Sequence, residues 1–315
     1  MNNSELLRKA DLAIADISSG GAIIPTEQAR SFIRKLVDQP TMIKECRTVG
    51  MSAPTQRINK IGIGSRILHA VADNTALGSG QRSKPTLEYL EMTAKQFKAE
   101  LRIPYEVMED NIESATAANN EASNTGPGGL RATILALIAQ RAAYDIELTG
   151  LLSDTSDGDA DYATQEGWLA RGYDNGNVVD HGSAVISKTL FKNGAKALPD
   201  KYLREKGLMR HFISHDQEME YRDTYANRMT ALGDAALQSS APVGAYGVPI
   251  QPMSAMPNAK GLFTNPKNLI FGVWRQISLE FDKDITAGTY IIVMSCRICF
   301  QIEEAEAVVE YVNIG

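Results

Sequence analysis

Two cysteines and two histidines are spaced as in sites that carry out redox or metal chemistry. Cys296 and Cys299 form a CxxC pair, the spacing of a redox-active dithiol or of half a zinc site. A reactive dithiol needs a helix N-terminus to lower a thiol pKa, but this pair lies in a stretch with the alternating pattern of a strand. Residues three apart on a strand face opposite sides, so the two thiols should diverge. We interpret both as structural thiols.

His211 and His215, followed by Glu218, would place two imidazoles and a carboxylate together on a helix, where they could bind zinc. The HExxH motif requires a glutamate directly after the first histidine, and Phe212 occupies that position. The segment is also predicted to change from strand to helix between the two histidines, which separates them. A metal- or thiol-dependent enzyme remains an alternative, and we expect no enzyme activity, no catalytic residue, no cofactor and no metal site.

Asp157, Asp159 and Asp161 have the spacing that begins a calcium-binding loop. That loop needs a glycine at its sixth position and a glutamate at its twelfth, where this chain has Tyr162 and Trp168. We interpret the three aspartates as a solvated acidic loop, with weak cation binding as the alternative.

The composition is that of a large globular protein. Of its 315 residues, 43% are hydrophobic and 22% are charged, so the chain can bury a sizeable core without disulfides. Its 32 basic and 38 acidic residues give a net charge of −6, which argues against a dedicated nucleic-acid binder because such proteins need Lys and Arg on phosphates. Three cysteines cannot form a disulfide framework and indicate assembly under reducing conditions. No apolar run approaches the length of about 18 residues that a membrane helix needs, so no membrane contact is expected.

The spacing of apolar residues predicts elongated elements in the first half of the chain. Residues 1–40 are predicted to form an arm with two short amphipathic helices, and residues 41–96 a long hairpin with a turn-forming tip, DNTALGSGQRSKP. The alternation that starts at Phe97 predicts a half-buried strand, and residues 130–152 predict a helix about 35 Å long. A hairpin alone is marginally stable in water, so this one must rest on another surface.

The second half is predicted to mix short helices and strands without an internal repeat, as in α+β proteins. Residues 153–180 and the proline-rich residues 239–266 are predicted to be loops. The other predicted elements are helical pieces over 190–206, a strand at 211–213, a helix capped by Ser214 or Asp216, and strands over 268–281 and 290–302.

The order of these elements resembles the major capsid protein of tailed bacteriophages, which has the Hong Kong 97 fold. The similar stretches extend over nearly the whole chain in the family's order. They are FKAELRIPYEVMED at 97–110, GGL, RAAYD and GLL within 128–152, FISHD at 212–216, NLIFG at 268–272, and CRICF, EA and VNI within 296–314.

The resemblance implies an α+β capsid fold with five parts. These are an N-terminal arm at 1–40, an extended hairpin loop at 41–96, a peripheral domain at 97–198 with its spine helix at 130–152, an axial domain at 199–289 and closing strands at 290–315. It also implies a major capsid protein that self-assembles into hexamers and pentamers of an icosahedral phage head around double-stranded DNA.

The implied partners are further copies of the chain, portal, scaffolding and decoration proteins, and packaged DNA in non-specific contact. The implied location is the virion, after assembly in the host cytoplasm. An encapsulin, which is a cellular compartment of the same fold, is the alternative. Neighbouring genes for a terminase and a portal would favour the phage, and a gene for an encapsulated cargo enzyme would favour the compartment.

The hairpin tip is the expected place of contact between subunits. Arg66, Arg82 and Lys84 are the candidates for inter-subunit salt bridges, and simple solvation is the alternative because exposed ion pairs contribute only about 0–1 kcal/mol. About 25 residues precede the first capsid-like helix, so we expect scaffolding to come from a separate protein or to be absent, and no proteolytic maturation. Lys60 and Lys84 lie on the hairpin, but no glutamate and asparagine for an isopeptide cross-link can be identified.

Overall fold

The computed structural model describes residues 40–62, 66–70, 76–82, 85–104, 130–226 and 242–315. The helices predicted within 1–40 lie outside the described residues. The helices are α1 Met42–Glu45, α2 Leu130–Leu152, α3 Trp168–Asn175, α4 Lys188–Ala197 and α5 His215–Ala226. The strands are β1 Arg47–Gly50, β2 Thr55–Gly62, β3 Thr86–Thr93, β4 Lys95–Pro104, β5 Asn177–Ala184, β6 Arg210–Ser214, β7 Gly244–Ala245, β8 Val248–Met253, β9 Gly261–Thr264, β10 Leu269–Asp284, β11 Thr289–Ile302 and β12 Val309–Ile314.

A four-stranded sheet with the order β1-β10-β11-β4 forms the elongated half of the molecule. β1 runs parallel to β10, and the other neighbours are antiparallel. The predicted alternation along β4 is confirmed, because Leu101 and Ile103 turn inward while Lys98, Glu100 and Arg102 are exposed. The inward face packs against α2 through Ile103, Ile292 and Ile138.

The long helix α2 confirms the helix predicted over 130–152. Near its end, Gly150 lies so close to β11 that an added Cβ would be 2.7 Å from Cε1 of Phe300. Glu147, which is 1% exposed, reaches from α2 to the chain segment that leads into the hairpin. Its carboxylate accepts hydrogen bonds from Thr41 Oγ1 at 3.2 Å and from the backbone N–H of Met42 at 3.1 Å. Through these bonds the spine helix α2 holds the segment that leads into the hairpin.

A six-stranded mixed sheet, in the order β5-β12-β9-β6-β8-β7, forms the second half. Its core contains large buried side chains from sheet and helices, among them Phe191, Phe263 and Tyr311. β6 and α5 confirm the predicted passage from strand to helix, and Ser214 Oγ accepts the N–H of Gln217 as the predicted cap. β5 and α4, which the implied boundaries assign to the peripheral domain, belong to this sheet and its core.

Two predicted loops are wrong. Residues 153–180 contain α3 and the start of β5, because burial of Trp168 and Leu169 in the core outweighs the Asp- and Gly-rich local composition. Residues 239–266 contain β7, β8 and β9 despite five prolines. Val248, Ile250 and Met253 of β8 are buried, and pairing with β6 overrides the local preference of the prolines.

Candidate inter-subunit surface

The hairpin of β2 and β3 forms a two-stranded sheet of its own, which is not hydrogen-bonded into either of the larger sheets. Its register pairs Thr55 with Thr93 at the base and Gly62 with Thr86 at the outer end. Side chains alternate across the ribbon, so each pair of partners lies on one of two faces. One face, which we call the inner face, turns toward the four-stranded sheet, and the other, the outer face, turns away from it.

The inner face packs on the body of the molecule. Met92 is 1% exposed and lies in a small core with Met51, Ile270 and Cys299. The side chain of Gln301 donates to the backbone carbonyl of Glu91 at 3.0 Å. These contacts fix the base of the hairpin. Further out, Lys60 Nζ lies 3.2 Å from a carboxylate oxygen of Glu304, so the body also holds the ribbon by an ion pair.

The outer face carries large apolar side chains that are exposed to solvent. Ile61 and Leu87 are cross-strand partners, each 74% exposed, and Tyr89 is 61% exposed. Leu68, beyond the end of the strands, is 82% exposed. Arg57 donates to Glu91 at 2.9 Å and lies 4.7 Å from the centre of the Tyr89 ring, which fixes the position of that ring. A fixed apolar face of this kind is typical of a surface that another protein covers.

Of the predicted tip residues, Arg66 and Arg82 are described and follow or precede the paired strands in the chain. Arg82 donates from Nε to the backbone carbonyl of Leu77 at 3.3 Å, so its guanidinium helps to order the tip. Arg66 is exposed. Lys84 lies outside the described residues. The inter-subunit role of these three residues stays a prediction.

The candidate redox and metal residues occupy structural positions. Cys296 belongs to the core beneath α2, whereas the Cys299 thiol contacts Met51 on the opposite face of β11, so the predicted divergence is confirmed. Burial raises the pKa of Cys299 to about 11, which keeps its thiol protonated and poorly nucleophilic. Cys46 is buried as well, and burial raises its pKa to about 12.

His211 and His215 do not converge. His211 is buried, its ring stacks on Phe263 with centroids 4.2 Å apart, and its Nδ1 lies 3.1 Å from the Tyr311 hydroxyl. Burial lowers the pKa of His211 to about 3, so it is neutral at physiological pH. His215 begins α5 and is exposed.

Two carboxylates of the acidic loop accept local backbone hydrogen bonds. Asp157 and Asp159 each accept the backbone N–H two residues further on, at 3.0 Å, from Asp159 and Asp161 respectively. Within the described part of the chain, no three His, Cys, Asp or Glu side chains are grouped closely enough to hold a metal ion. In the same part, no helix has the length and apolar character needed to cross a bilayer.

Comparison with known proteins decides the family. No protein-family model matches the chain. The chain is 36% identical over 326 residues to the "Putative prophage capsid protein YqbE" of Bacillus subtilis (strain 168), an alignment that covers 100% of this chain and 99% of the relative. The chain belongs to the phage capsid protein family. It is a major capsid protein of a phage head.

Solved capsid structures confirm the fold of this capsid protein. The capsid of the native GTA particle superposes with a TM-score of 0.65 at 12% identity and covers 97% of this chain and 100% of its own. The satellite phage P4 procapsid gives a TM-score of 0.61 at 15% identity, with 88% of each chain covered. The capsid of cyanophage P-SCSP1u gives 0.59 at 11% identity, with 99% and 98% covered. The predicted Hong Kong 97 fold is thus confirmed.

The apolar outer face was not predicted from the sequence, although a signal for it is present. The alternation in INKIGIGSRI predicted a strand, but the side toward which its apolar residues point depends on where the hairpin rests. Met92 and Ile58 face the body, which leaves Ile61 and Leu87 on the outside.

Proposed function

We propose that this capsid protein self-assembles into hexamers and pentamers of an icosahedral head that encloses double-stranded DNA, and that the outer face of the hairpin is a main contact between subunits. The observation that carries the proposal is the exposed pair Ile61 and Leu87 on a hairpin whose inner face already rests on its own chain. A partner is needed only for the outer face.

The energetics support a second copy as that partner. Burying one large apolar side chain contributes about 1.5–3 kcal/mol, so Ile61, Leu87 and Tyr89 together provide a substantial part of a weak subunit contact. A hairpin that docks on a different surface of the next copy makes a heterologous contact, and such contacts close into rings when the rotation fits. Rings of five and six are the capsomers of the proposal.

Arg66, Arg82 and Lys84 are proposed to add ion pairs at the tip. Because exposed pairs contribute about 0–1 kcal/mol each, they would adjust the register of the contact more than its strength. The division into arm 1–40, hairpin loop 41–96, peripheral domain 97–198, axial domain 199–289 and closing strands 290–315 also belongs to this proposal.

Portal, scaffolding and decoration proteins are proposed as further partners, with assembly in the host cytoplasm. Contact with packaged DNA is proposed to be non-specific, since a net charge of −6 gives no strong attraction for phosphates. No enzymatic activity is proposed: the protonated thiols of Cys46 and Cys299 and the buried, neutral His211 support a purely structural role.

The test is a double charge substitution on the outer face. Ile61→Lys together with Leu87→Lys should leave the subunit folded, because both side chains are solvated in the isolated chain, and should prevent assembly by burying two charges. Leu208→Lys, at a site 53% exposed beside the six-stranded sheet, is the control. Sedimentation velocity gives the assembled fraction and negative-stain microscopy its shape.

The expected result is shells or capsomer rings for the wild type and the control, and folded monomers for the double variant. Assembly of the double variant to wild-type levels would remove the outer face as a contact. A wild-type protein that remains monomeric, even with its scaffold, would contradict self-assembly itself.

A further inference from the structure

A cleft of about 270 Å³ opens on the four-stranded sheet, on the face opposite α2. It lies where β10 loses its regular register with β11, between Val273 and Arg275 and again between Arg275 and Ser278. Such bulges redirect side chains at the place where pairing is interrupted. The polar side chains that line the cleft include Gln96, Arg275, Ser278, Glu280, Ser295 and Arg297.

Two guanidinium groups at this cleft lie near the same indole ring. Arg275 and Arg297 are partners in the register, and their Cζ atoms lie 5.4 Å and 4.6 Å from the centre of the same indole ring, that of Trp274. Trp274 packs against the small core at the base of the hairpin, which fixes its position. Arg297 Nη2 also donates to the Gln96 side chain at 3.0 Å. We call this group the arginine cleft.

Neither cation of the arginine cleft forms an ion pair with a described residue. Over the described residues, neither Arg275 nor Arg297 has a carboxylate oxygen within 4.0 Å, although Glu280 also lines the cleft. The other arginines on the strands of this sheet and of the hairpin do form ion pairs, as Arg57 does with Glu91 and Arg102 with Glu100. Like charges on neighbouring side chains repel each other, and an anion bound in the cleft would relieve the repulsion. Carboxylate is well suited, because each guanidinium can donate two parallel hydrogen bonds to it.

The volume of the cleft and the charges around it indicate which kind of anion it can bind. The volume is smaller than the roughly 300–1,000 Å³ of sites for cofactors and drug-sized ligands, so the cleft fits one inserted side chain. The neighbouring positions on this face alternate in sign, with Lys98, Glu100, Arg102 and Asp282 in succession. A surface of mixed sign lacks the continuous positive charge that binds DNA phosphates and is compatible with a protein partner.

We propose that the arginine cleft receives an Asp or Glu side chain of a second copy of this chain. The inference rests on the self-assembly proposed above and adds a second, polar contact to it. The chain provides the complementary charge, since Asp157, Asp159 and Asp161 are exposed and lie beyond ion-pair distance of every described cation. If the cleft of each copy receives the acidic loop of the next copy in one direction, the contact is heterologous and can close into a ring.

The first test reverses both charges, with Arg275→Glu and Arg297→Glu in one chain. The control reverses two exposed cations on α4, Lys188→Glu and Lys192→Glu, so that both proteins have the same net charge. We expect the double arginine variant to reduce the assembled fraction at least about tenfold in sedimentation velocity, because a charge pair becomes a repulsion, while the control assembles like the wild type. Thermal unfolding of the isolated chain verifies that both variants are folded.

The second test identifies the partner residue. In Arg297→Lys the introduced amine can be coupled to a touching carboxylate by a zero-length carbodiimide, in particles assembled from isotopically light and heavy protein. We expect a mixed light–heavy cross-linked peptide that joins residue 297 of one copy to an Asp or Glu of another. Cross-links only within one copy, for example to Glu280, would overturn the inference.

The two proposals fail in different ways. If the wild type assembles and the double arginine variant assembles equally well, the cleft is not a subunit contact and the proposed function stands. If the wild type stays monomeric under all conditions, both are overturned.

Discussion

Glu310 is a carboxylate that the fold buries completely, on β12 between β5 and β9. Lys260 Nζ lies 3.3 Å from its Oε1, but within the described part of the chain neither carboxylate oxygen accepts a hydrogen bond of good geometry. Burial raises the pKa of Glu310 from 4.5 to about 7, Lys260 opposes this, and Asp174 adds to it. The protonated form is therefore favoured in the folded state.

The raised pKa makes the free energy of unfolding depend on pH. Because the folded pKa exceeds the unfolded one, the stability from this group is complete below about pH 4.5 and is lost as pH rises through about 7. The shift corresponds to a loss on the order of 3 kcal/mol. In Glu310→Gln this loss should disappear, so the variant should exceed the wild type in stability at about pH 8 and match it near pH 4.5. Urea unfolding at both pH values measures this, and parallel pH profiles would contradict it.

Gly150 allows the spine helix α2 to pack closely against Phe300 of β11. A methyl group at this position would lie 2.7 Å from Phe300, whereas Gly158, in the acidic loop, has no atom within 4 Å of such a methyl. Gly150→Ala gains up to about 1 kcal/mol of helix propensity but costs about 1–3 kcal/mol by overpacking, so it should lower the melting temperature. Gly158→Ala should change stability by less than about 0.5 kcal/mol. Equal melting temperatures for the two variants would show that Phe300 moves aside freely.

At the scale of elements, Glu147 joins the spine helix to the segment that leads into the hairpin. Its carboxylate accepts from Thr41 and from the N–H groups of Met42 and Ile43. Glu147→Ala leaves these donors without an acceptor, which should cost about 1–3 kcal/mol and speed amide exchange at Met42 and Ile43. Glu147→Gln keeps one acceptor oxygen and should retain most of the protection. Hydrogen exchange read by mass spectrometry compares the two variants, and equal protection in both would exclude this role for Glu147.

Elements with a long, regular pattern were predictable, and elements held by distant partners were not. The 23 residues of α2 are rich in Ala and Leu and contain no proline, which favours a helix, and the alternation in β4 and β11 persists over many residues. In contrast, α3 depends on the burial of Trp168, and β8 depends on pairing with β6 in spite of Pro249 and Pro252. Contacts with residues distant in sequence stabilise those short elements, and the local sequence pattern does not show such contacts.

The two proposed contact surfaces, the outer face of the hairpin and the arginine cleft, also depend on tertiary structure. The sequence predicts a subunit contact at the hairpin, but the exposure of Ile61 and Leu87 follows from which face the body covers. The arginine cleft follows from two bulges that bring Arg275 beside Arg297, although the two residues are distant in sequence. Register across strands is a property of the assembled sheet, so neither surface could be derived from residue spacing alone.

A chain with a shortened hairpin tests whether the tip is needed for regular assembly. Gly62 and Thr86 are register partners, so an Asn-Gly turn can join them and replace residues 63–85, which include Arg66, Arg82 and Lys84. The shortened protein keeps the contacts of Met92 and Lys60 with the body and should unfold at nearly the wild-type temperature. If the tip determines the register of the subunit contact, this protein should still associate through Ile61 and Leu87 but form irregular oligomers in place of closed shells. Negative-stain microscopy and light scattering distinguish these products, and regular shells of wild-type size would show that assembly does not need the three basic residues.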